Sequence, residues 1–177
     1  MREFEYSILY WFQGLHNPVL DKIAIIITSL GNAGIFWIIL TVFMLIICKD
    51  KKPAWASGIA LIISLLIVNI LLKNLVARSR PCWDESALRN VKMLVNIPKD
   101  YSFPSGHSSA SFAASVAIVQ YRRKLGISLI ILASIIALSR LYLFVHWPTD
   151  VLCGVVIGIF SGLISGVIIR YVYAKRK

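Results

Sequence analysis

Four runs of apolar residues, at 33–48, 54–72, 125–143 and 149–172, leave this chain few folds to choose from. Each approaches the length a helix needs to cross a bilayer, about 20 residues. Backbone groups in hydrocarbon must bond within their own segment, so such runs are helices rather than open strands. Hydrophobic residues make up 58% of the 177, and mean hydropathy is +0.77. That balance excludes an ordinary soluble domain. The expected fold is all-α: a polytopic membrane helical bundle of five transmembrane helices, or six if the N-terminal region supplies one. Residues 1–177 read as a single integral membrane domain.

Local signals organise the rest. Residues 3–16 mix Glu3 and Glu5 with Phe4, Tyr6, Trp11 and Phe12, the pattern of a helix lying in or entering the bilayer surface. Asn17-Pro18 ends it. Residues 19–30 form a short apolar helix interrupted by Asp21-Lys22, and Gly31-Asn32 breaks or bends the chain within the membrane. The stretch 74–103 is the one sizeable extramembrane loop, and 104–120, rich in Ser and Ala, returns to a helical pattern. The first residues lack the form of a signal peptide, so the first membrane segments are expected to act as their own insertion signal. Gly154, Gly158, Gly162 and Gly166 recur every four residues and make a smooth stripe. Packing against a helix of the same chain is favoured over dimerisation, and the oligomeric state is otherwise open.

The net charge is +11, from 19 Lys and Arg against 8 Asp and Glu. Nucleic acid is not needed to explain it. Three clusters, Lys49-Asp50-Lys51-Lys52, Tyr121-Arg122-Arg123-Lys124 and Lys175-Arg176-Lys177, flank apolar runs and fall on one side by alternation. The positive-inside rule makes that side cytoplasmic. The 74–103 loop and the turn around His146 then face outside. That loop carries Arg78, Arg80, Arg89, Lys92 and Lys99 against the topological bias, which an anionic ligand would explain. Cys48, Cys82 and Cys153 form no spaced pair and suit neither a disulfide framework nor a zinc site.

Three stretches carry chemistry. In the first, Lys73 is followed after six residues by Arg80-Pro81. This is either an interfacial lysine with an arginine pair or a phosphate clamp, a point charge beside planar forks. The second is Tyr101-Ser102-Phe103-Pro104-Ser105-Gly106-His107. Pro104 suits a helix start, where Ser105 and Gly106 leave backbone N–H groups for an anion and His107 can donate a proton. Gly106 also permits close approach. A plain helix cap explains Ser102 and Pro104 but not His107. The third is Ser139-Arg140, five residues, His146, three residues, Asp150. His146 reads as a base or nucleophile and Asp150 as the group orienting it, although an acid behind Pro148 also suits a helix first turn. Asp84, Glu85 and Asp100 are the only carboxylates in the outer loop, so no site for magnesium and no other cofactor is expected.

In order and spacing, Lys73-(six)-Arg80-Pro81, Pro104-Ser105-Gly106-His107 and Ser139-Arg140-(five)-His146-(three)-Asp150 resemble the motifs of the type 2 phosphatidic acid phosphatase superfamily. Vanadium haloperoxidases and glucose 6-phosphatases belong to the same superfamily. The resemblance covers about residues 18–172 and is strongest at 73–150. It implies the helical core of that superfamily and metal-independent phosphate hydrolysis. By this resemblance His146 attacks phosphorus to form a phosphohistidine, and Asp150 holds its tautomer. His107 protonates the leaving oxygen and then helps activate water. Lys73, Arg80 and Arg140, with the Ser105 and Gly106 amides, hold the phosphoryl oxygens. The chain looks most like small bacterial members acting on membrane lipids, with the site outside the cytoplasmic membrane. Undecaprenyl diphosphate is the first choice of substrate; phosphatidylglycerol phosphate, phosphatidate and lipid A compete. Hydropathy argues against a haloperoxidase. A non-catalytic lipid-binding or transport relative would be expected to lack a motif residue, and every one is present.

Overall fold

The computed structural model describes residues 2–89 and 91–175. Arg176 and Lys177 of the last basic cluster lie outside the described residues. Among the described residues there are helices and loops but no strand. The main helices are α1 (Arg2–Gln13), α2 (Pro18–Leu30), α3 (Ile35–Ile47), α4 (Lys52–Val76), α5 (Gly106–Val119), α6 (Arg123–Tyr142) and α7 (Pro148–Ala174).

Helices α4, α6 and α7 are each long and apolar enough to cross a membrane. Helices α2 and α3 meet that standard together, as a pair bent by 44°. The bend is an elbow at Gly31–Gly34, where Ala33 (φ 49°) and Gly34 (φ 68°) take left-handed conformations. Such residues cannot continue a right-handed helix. Asn17 starts α2: its Oδ1 accepts from the Val19 and Leu20 amides at 3.1 and 3.0 Å, with Pro18 in the first turn.

Helix α5 runs through the interior of the bundle. It has 14 residues, about 21 Å at 1.5 Å per residue, shorter than a bilayer core. From Ser108 to Ile118 only Ala110 escapes full burial. Helices α4, α6 and α7 pack around it, so α5 never faces lipid. This accounts for its composition. Small Ser and Ala side chains let three neighbours approach, and the hydroxyls find partners indoors. Ser115 Oγ donates to the Ser111 carbonyl at 2.6 Å, and Ser109 bonds Ser64 of α4. The outer helices supply the apolar exterior, with Ile62, Ile131, Leu152 and Phe160 exposed.

The glycine stripe of α7 faces α5. A Cβ added at Gly154 or Gly158 would lie 2.5 Å from the carbonyl oxygens of Ser105 and Ser109 respectively. One at Gly162 would meet Val116 at 2.7 Å, and one at Gly166 would strike Gln120. The stripe therefore serves packing within the chain.

The basic clusters share one end of the bundle. Lys52 Nζ lies 5.3 Å from the Tyr173 ring centroid, Tyr121 donates to the Gly166 carbonyl at 3.1 Å, and Arg170 reaches Gln120. Helix α1 lies across the opposite end. It buries Glu5 and Leu9, exposes Phe4 and Trp11, and sets Tyr6 edge-on to Trp147 at 4.9 Å. Its amphipathic sequence thus covers the turn that holds His146.

The α5–α7 contact generates a prediction. Gly158→Val forces a branched side chain against the Ser109 carbonyl and should destabilise the protein by about 1–3 kcal/mol. Leu152→Val, on the exposed face of α7, should cost about 0.5 kcal/mol or less. Thermal midpoints in detergent check this, and an unchanged midpoint for Gly158→Val would contradict the packing.

Candidate active site

Between α6 and α7 the chain turns sharply through Leu143–Val145, with Phe144 at φ 59°. His146 and Trp147 follow, and Pro148 opens α7. Asp150, in the first turn, reaches back so that its Oδ2 accepts the Trp147 amide at 2.9 Å. The same oxygen accepts the Ser102 hydroxyl, and Oδ1 accepts Arg78 at 2.6 Å. Three donors converge on a carboxylate with 0% exposure, which is how a buried charge is tolerated.

His146 stands between this carboxylate and a cation. Its Nδ1 is 3.6 Å from Asp150 Oδ2, and its Nε2 is 3.1 Å from a terminal nitrogen of Arg80. A guanidinium nitrogen only donates, so Nε2 carries the lone pair and the ring proton resides on Nδ1, facing Asp150. Burial, with Arg80, Arg140 and Lys73 nearby, holds the His146 pKa well below the ordinary histidine value. The ring is neutral near pH 7, with its Nε2 lone pair accepting from Arg80 at the cavity wall.

The cations are held in different ways. Arg80 donates to the carbonyls of Asp100 and Val145, each at 2.7 Å, to the Tyr101 carbonyl at 3.2 Å and to Asp100 Oδ1 at 2.9 Å. Lys73 pairs with Asp100 Oδ2. Burial works against the Asp100 charge, but Lys73 and Arg80 outweigh it and keep the carboxyl below its usual range. Arg140 projects from α6 to Thr28 of α2, and its buried Nε has no partner among the described residues.

His107 opens α5. Its Nε2 lies 3.0 Å from Asn32 Oδ1, and its ring packs so closely on Gly31 that a Cβ there would overlap it. The elbow between α2 and α3 is therefore a wall of the site. The helix start differs from expectation in one respect. The Ser105 amide is not free: it donates to the Asp150 carbonyl at 3.0 Å. Ser105 is the helix cap, its Oγ accepting from the Ser108 amide at 3.4 Å, while Ser102 bonds Asp150 instead. Pro104 precedes that cap. Among the described residues, the amides without partners here are those of Gly106 and His107.

Lys73, Arg80, Gly106, His107, Arg140 and His146 line one cavity of about 1170 Å³. Asp150 and Ser105 stand behind that lining. Its wall continues along apolar residues of α3 and α4, including Ile38, Val42, Leu61 and Leu65, under a loop that runs from Met93 to Pro98. The three motifs therefore meet at one cavity whose lining also includes a run of apolar side chains from α3 and α4.

Sequence reasoning missed the supporting groups. Arg78 bridges Asp150 to Glu5 Oε2 at 2.6 Å, and Glu5 Oε1 accepts the Thr149 hydroxyl at 2.6 Å. Nothing in the spacing distinguishes Arg78 from Arg80. The one signal for Glu5 is an acid on the face that Leu9 also occupies. Asn32 had been read only as part of a chain break, and Asp100 only as one of too few carboxylates for a metal.

Known proteins share this architecture. The PAP2 superfamily model matches residues 53–176. The chain is 30% identical over 161 residues to the undecaprenyl-diphosphatase BcrC of Bacillus subtilis, covering 90% of this chain and 81% of that protein. It is 26% identical over 174 residues to a lipid A 4'-phosphatase of Bacteroides thetaiotaomicron, covering 92% of this chain and 75% of that one. Its fold is similar to the crystal structure of a transmembrane PAP2 type phosphatidylglycerolphosphate phosphatase from Bacillus subtilis. The TM-score is 0.77 at 23% identity, over 99% of this chain and 87% of that one. With the family match running through most of its length and phosphatases among its relatives, the chain belongs to the PAP2 superfamily and is a multi-pass membrane hydrolase of phosphoric esters.

Proposed function

We propose that the enzyme removes the terminal phosphate of undecaprenyl diphosphate, giving undecaprenyl phosphate and inorganic phosphate at the outer face of a bacterial cytoplasmic membrane. The observation that carries a lipid substrate is the continuity of the cavity. Cations and both histidines gather at one end, and the apolar wall leads away from them. A phosphate end and a hydrocarbon tail fit those two surroundings. Similarity to a protein named as an undecaprenyl-diphosphatase favours this lipid over phosphatidate or phosphatidylglycerol phosphate. A second reading is a lipid A phosphatase, favoured by the Bacteroides relative, whose match covers 92% of the chain. Residues 1–177 act as one catalytic domain in either case.

In the proposed reaction the terminal phosphoryl group sits against His146 Nε2. Its oxygens meet Lys73, Arg80, Arg140 and the Gly106 and His107 amides, donors aimed where charge redistributes. Ser105 acts by position, fixing those amides through its cap and its bond to the Asp150 carbonyl. Nε2 forms a bond to phosphorus as the bond to the lipid phosphate oxygen breaks, and His107 gives that oxygen a proton. Asp150 stabilises the positive charge through the Nδ1 proton. Water, deprotonated by His107, then attacks phosphorus, breaks the P–N bond and restores His146. These donors do the work a divalent cation would do. Among the described residues no three His, Cys, Asp or Glu side chains gather to hold one.

Activity should therefore survive EDTA in a detergent assay of phosphate release from lipid diphosphates. Turnover that is lost on chelation and restored by magnesium would refute the mechanism. For the orientation, cysteines introduced at Lys92 should react with an impermeant label in intact cells, and those at Lys51 or Arg123 should not. The reverse pattern would put the site in the cytoplasm.

The two histidines separate by kinetics. His146→Ala should abolish turnover and the acid-labile phosphoenzyme together. His107→Ala should slow lipid substrates by roughly 10² to 10⁴, the usual worth of acid–base catalysis. Phosphorylation by a nitrophenyl phosphate, whose leaving group needs no proton, should slow much less. Phosphoenzyme trapped from His146→Ala, or equal losses on both substrates for His107→Ala, would reverse the roles.

A further inference from the structure

A guanidinium has five N–H donors. In Arg80 all five are engaged by the protein: three backbone carbonyls, His146 Nε2 and the Asp100 carboxylate. As it stands Arg80 has none left for a phosphate oxygen. The three carbonyls belong to backbone that anchors the side chain. The bonds to Asp100 Oδ1 and to His146 are the ones a ligand can exchange.

Asp100 is placed for that exchange. One carboxylate oxygen meets Arg80 and the other meets Lys73, so a single anion bridges the two cations of the first motif. A phosphoryl group has the same charge sign and can offer two oxygens in the same way. The exposure of the acid differs from that of a structural ion pair. The Asp100 side chain is 54% exposed, whereas Arg80 is 2% exposed and Lys73 14%. The partners of Arg78 make the contrast, since the Glu5 side chain is 3% exposed and that of Asp150 is 0%. Asp100 also lies outside any helix, in the stretch before α5, so its side chain can swing to water without breaking an element. Meanwhile its own carbonyl and that of Tyr101 still hold Arg80.

Resting on the reading of Lys73 and Arg80 as a phosphate clamp, we infer that Asp100 is an internal competitor of the substrate phosphate. Its carboxylate fills the oxygen positions between the two cations, withdraws when the phosphoryl group enters, and returns as inorganic phosphate leaves. It sets how tightly the site holds phosphate and keeps the product from saturating it. A carboxylate that merely braced the two cations would have the opposite effect on removal, loosening the clamp and weakening phosphate binding.

The sign of one measurement decides. The dissociation constant for inorganic phosphate is read from the rise in thermal midpoint as phosphate is titrated into the full chain in detergent, a readout that needs no activity. Asp100→Asn keeps size and one acceptor; Asp100→Ala removes both. Each should bind phosphate more tightly than the unsubstituted protein, by roughly tenfold or more, the worth of one charge-assisted hydrogen bond. Lys73→Ala should bind it more weakly. Unchanged or weaker binding in either Asp100 variant, with Lys73→Ala weakened, would show Asp100 to be a brace and overturn this inference alone. Unchanged binding in Lys73→Ala would remove the clamp itself and the inference with it.

Discussion

The Asp150 carboxylate is the point at which separate segments of the chain are tied. A charge with no exposure to water is tolerated only when its lone pairs are met. Meeting them draws in the Trp147 amide from its own turn, Ser102 from the strap before α5, and Arg78 from the loop just after α4. The carbonyl of the same residue takes the Ser105 amide and so fixes where α5 begins. His146 is trapped between this knot and Arg80, its Nε2 lone pair accepting from the guanidinium at the cavity wall. The interaction that closes the fold at this end also places an acid 3.6 Å from Nδ1 of His146, while Arg80 on the other side of the ring keeps the lone pair on Nε2.

The support for that knot comes from the part of the chain that precedes the family match, which starts at residue 53. Glu5 of α1 neutralises Arg78 behind Asp150, Thr28 of α2 bonds Arg140, and Asn32 at the elbow meets His107. Arg78 also stacks over Trp147, 5.2 Å from its ring, which fixes the guanidinium on both sides. On the proposed mechanism the motif residues supply the chemistry, and contacts from the N-terminal helices hold them to geometry.

The legible and illegible parts of the sequence divide along the same line. Phosphate chemistry needs particular residue types at fixed intervals, so the three motifs could be read directly. Their convergence on one cavity followed once each was placed at the same edge of the bundle. Hydropathy told which residues avoid water but not whether they avoid it against lipid or against protein. That is why 104–120 read only as a helix rich in Ser and Ala, and its place as an interior helix had to come from the packing. The glycines of α7 were informative because a repeated small residue has one geometric use, close approach. The Ser105 amide was misread because its acceptor, the Asp150 carbonyl, is remote in sequence and is backbone, which carries no residue-type signal. Glu5 and Asn32 were hidden for the first of those reasons.

The three arginines closest to the chemistry are in three different electrostatic conditions, and the differences suit an anion that comes and goes. A cation near the bilayer must be paired or face a polar cavity. Arg78 is paired with two buried acids and is effectively part of the scaffold. Arg80 is fully bonded, but one bond is to a half-exposed acid that can be replaced. Arg140 keeps a buried Nε with no acceptor, and a donor left in that state costs about 1–3 kcal/mol. An incoming phosphate that swaps places with Asp100 on Arg80 gains little, because one charge-assisted bond replaces another. Arg140 lines the same cavity, and beyond Thr28 its guanidinium meets no acceptor among the described residues. On the proposed mechanism Arg140 of α6 adds a third cation to the phosphoryl group, while the competition of Asp100 for Lys73 and Arg80 governs how tightly the group is held and how readily it is exchanged.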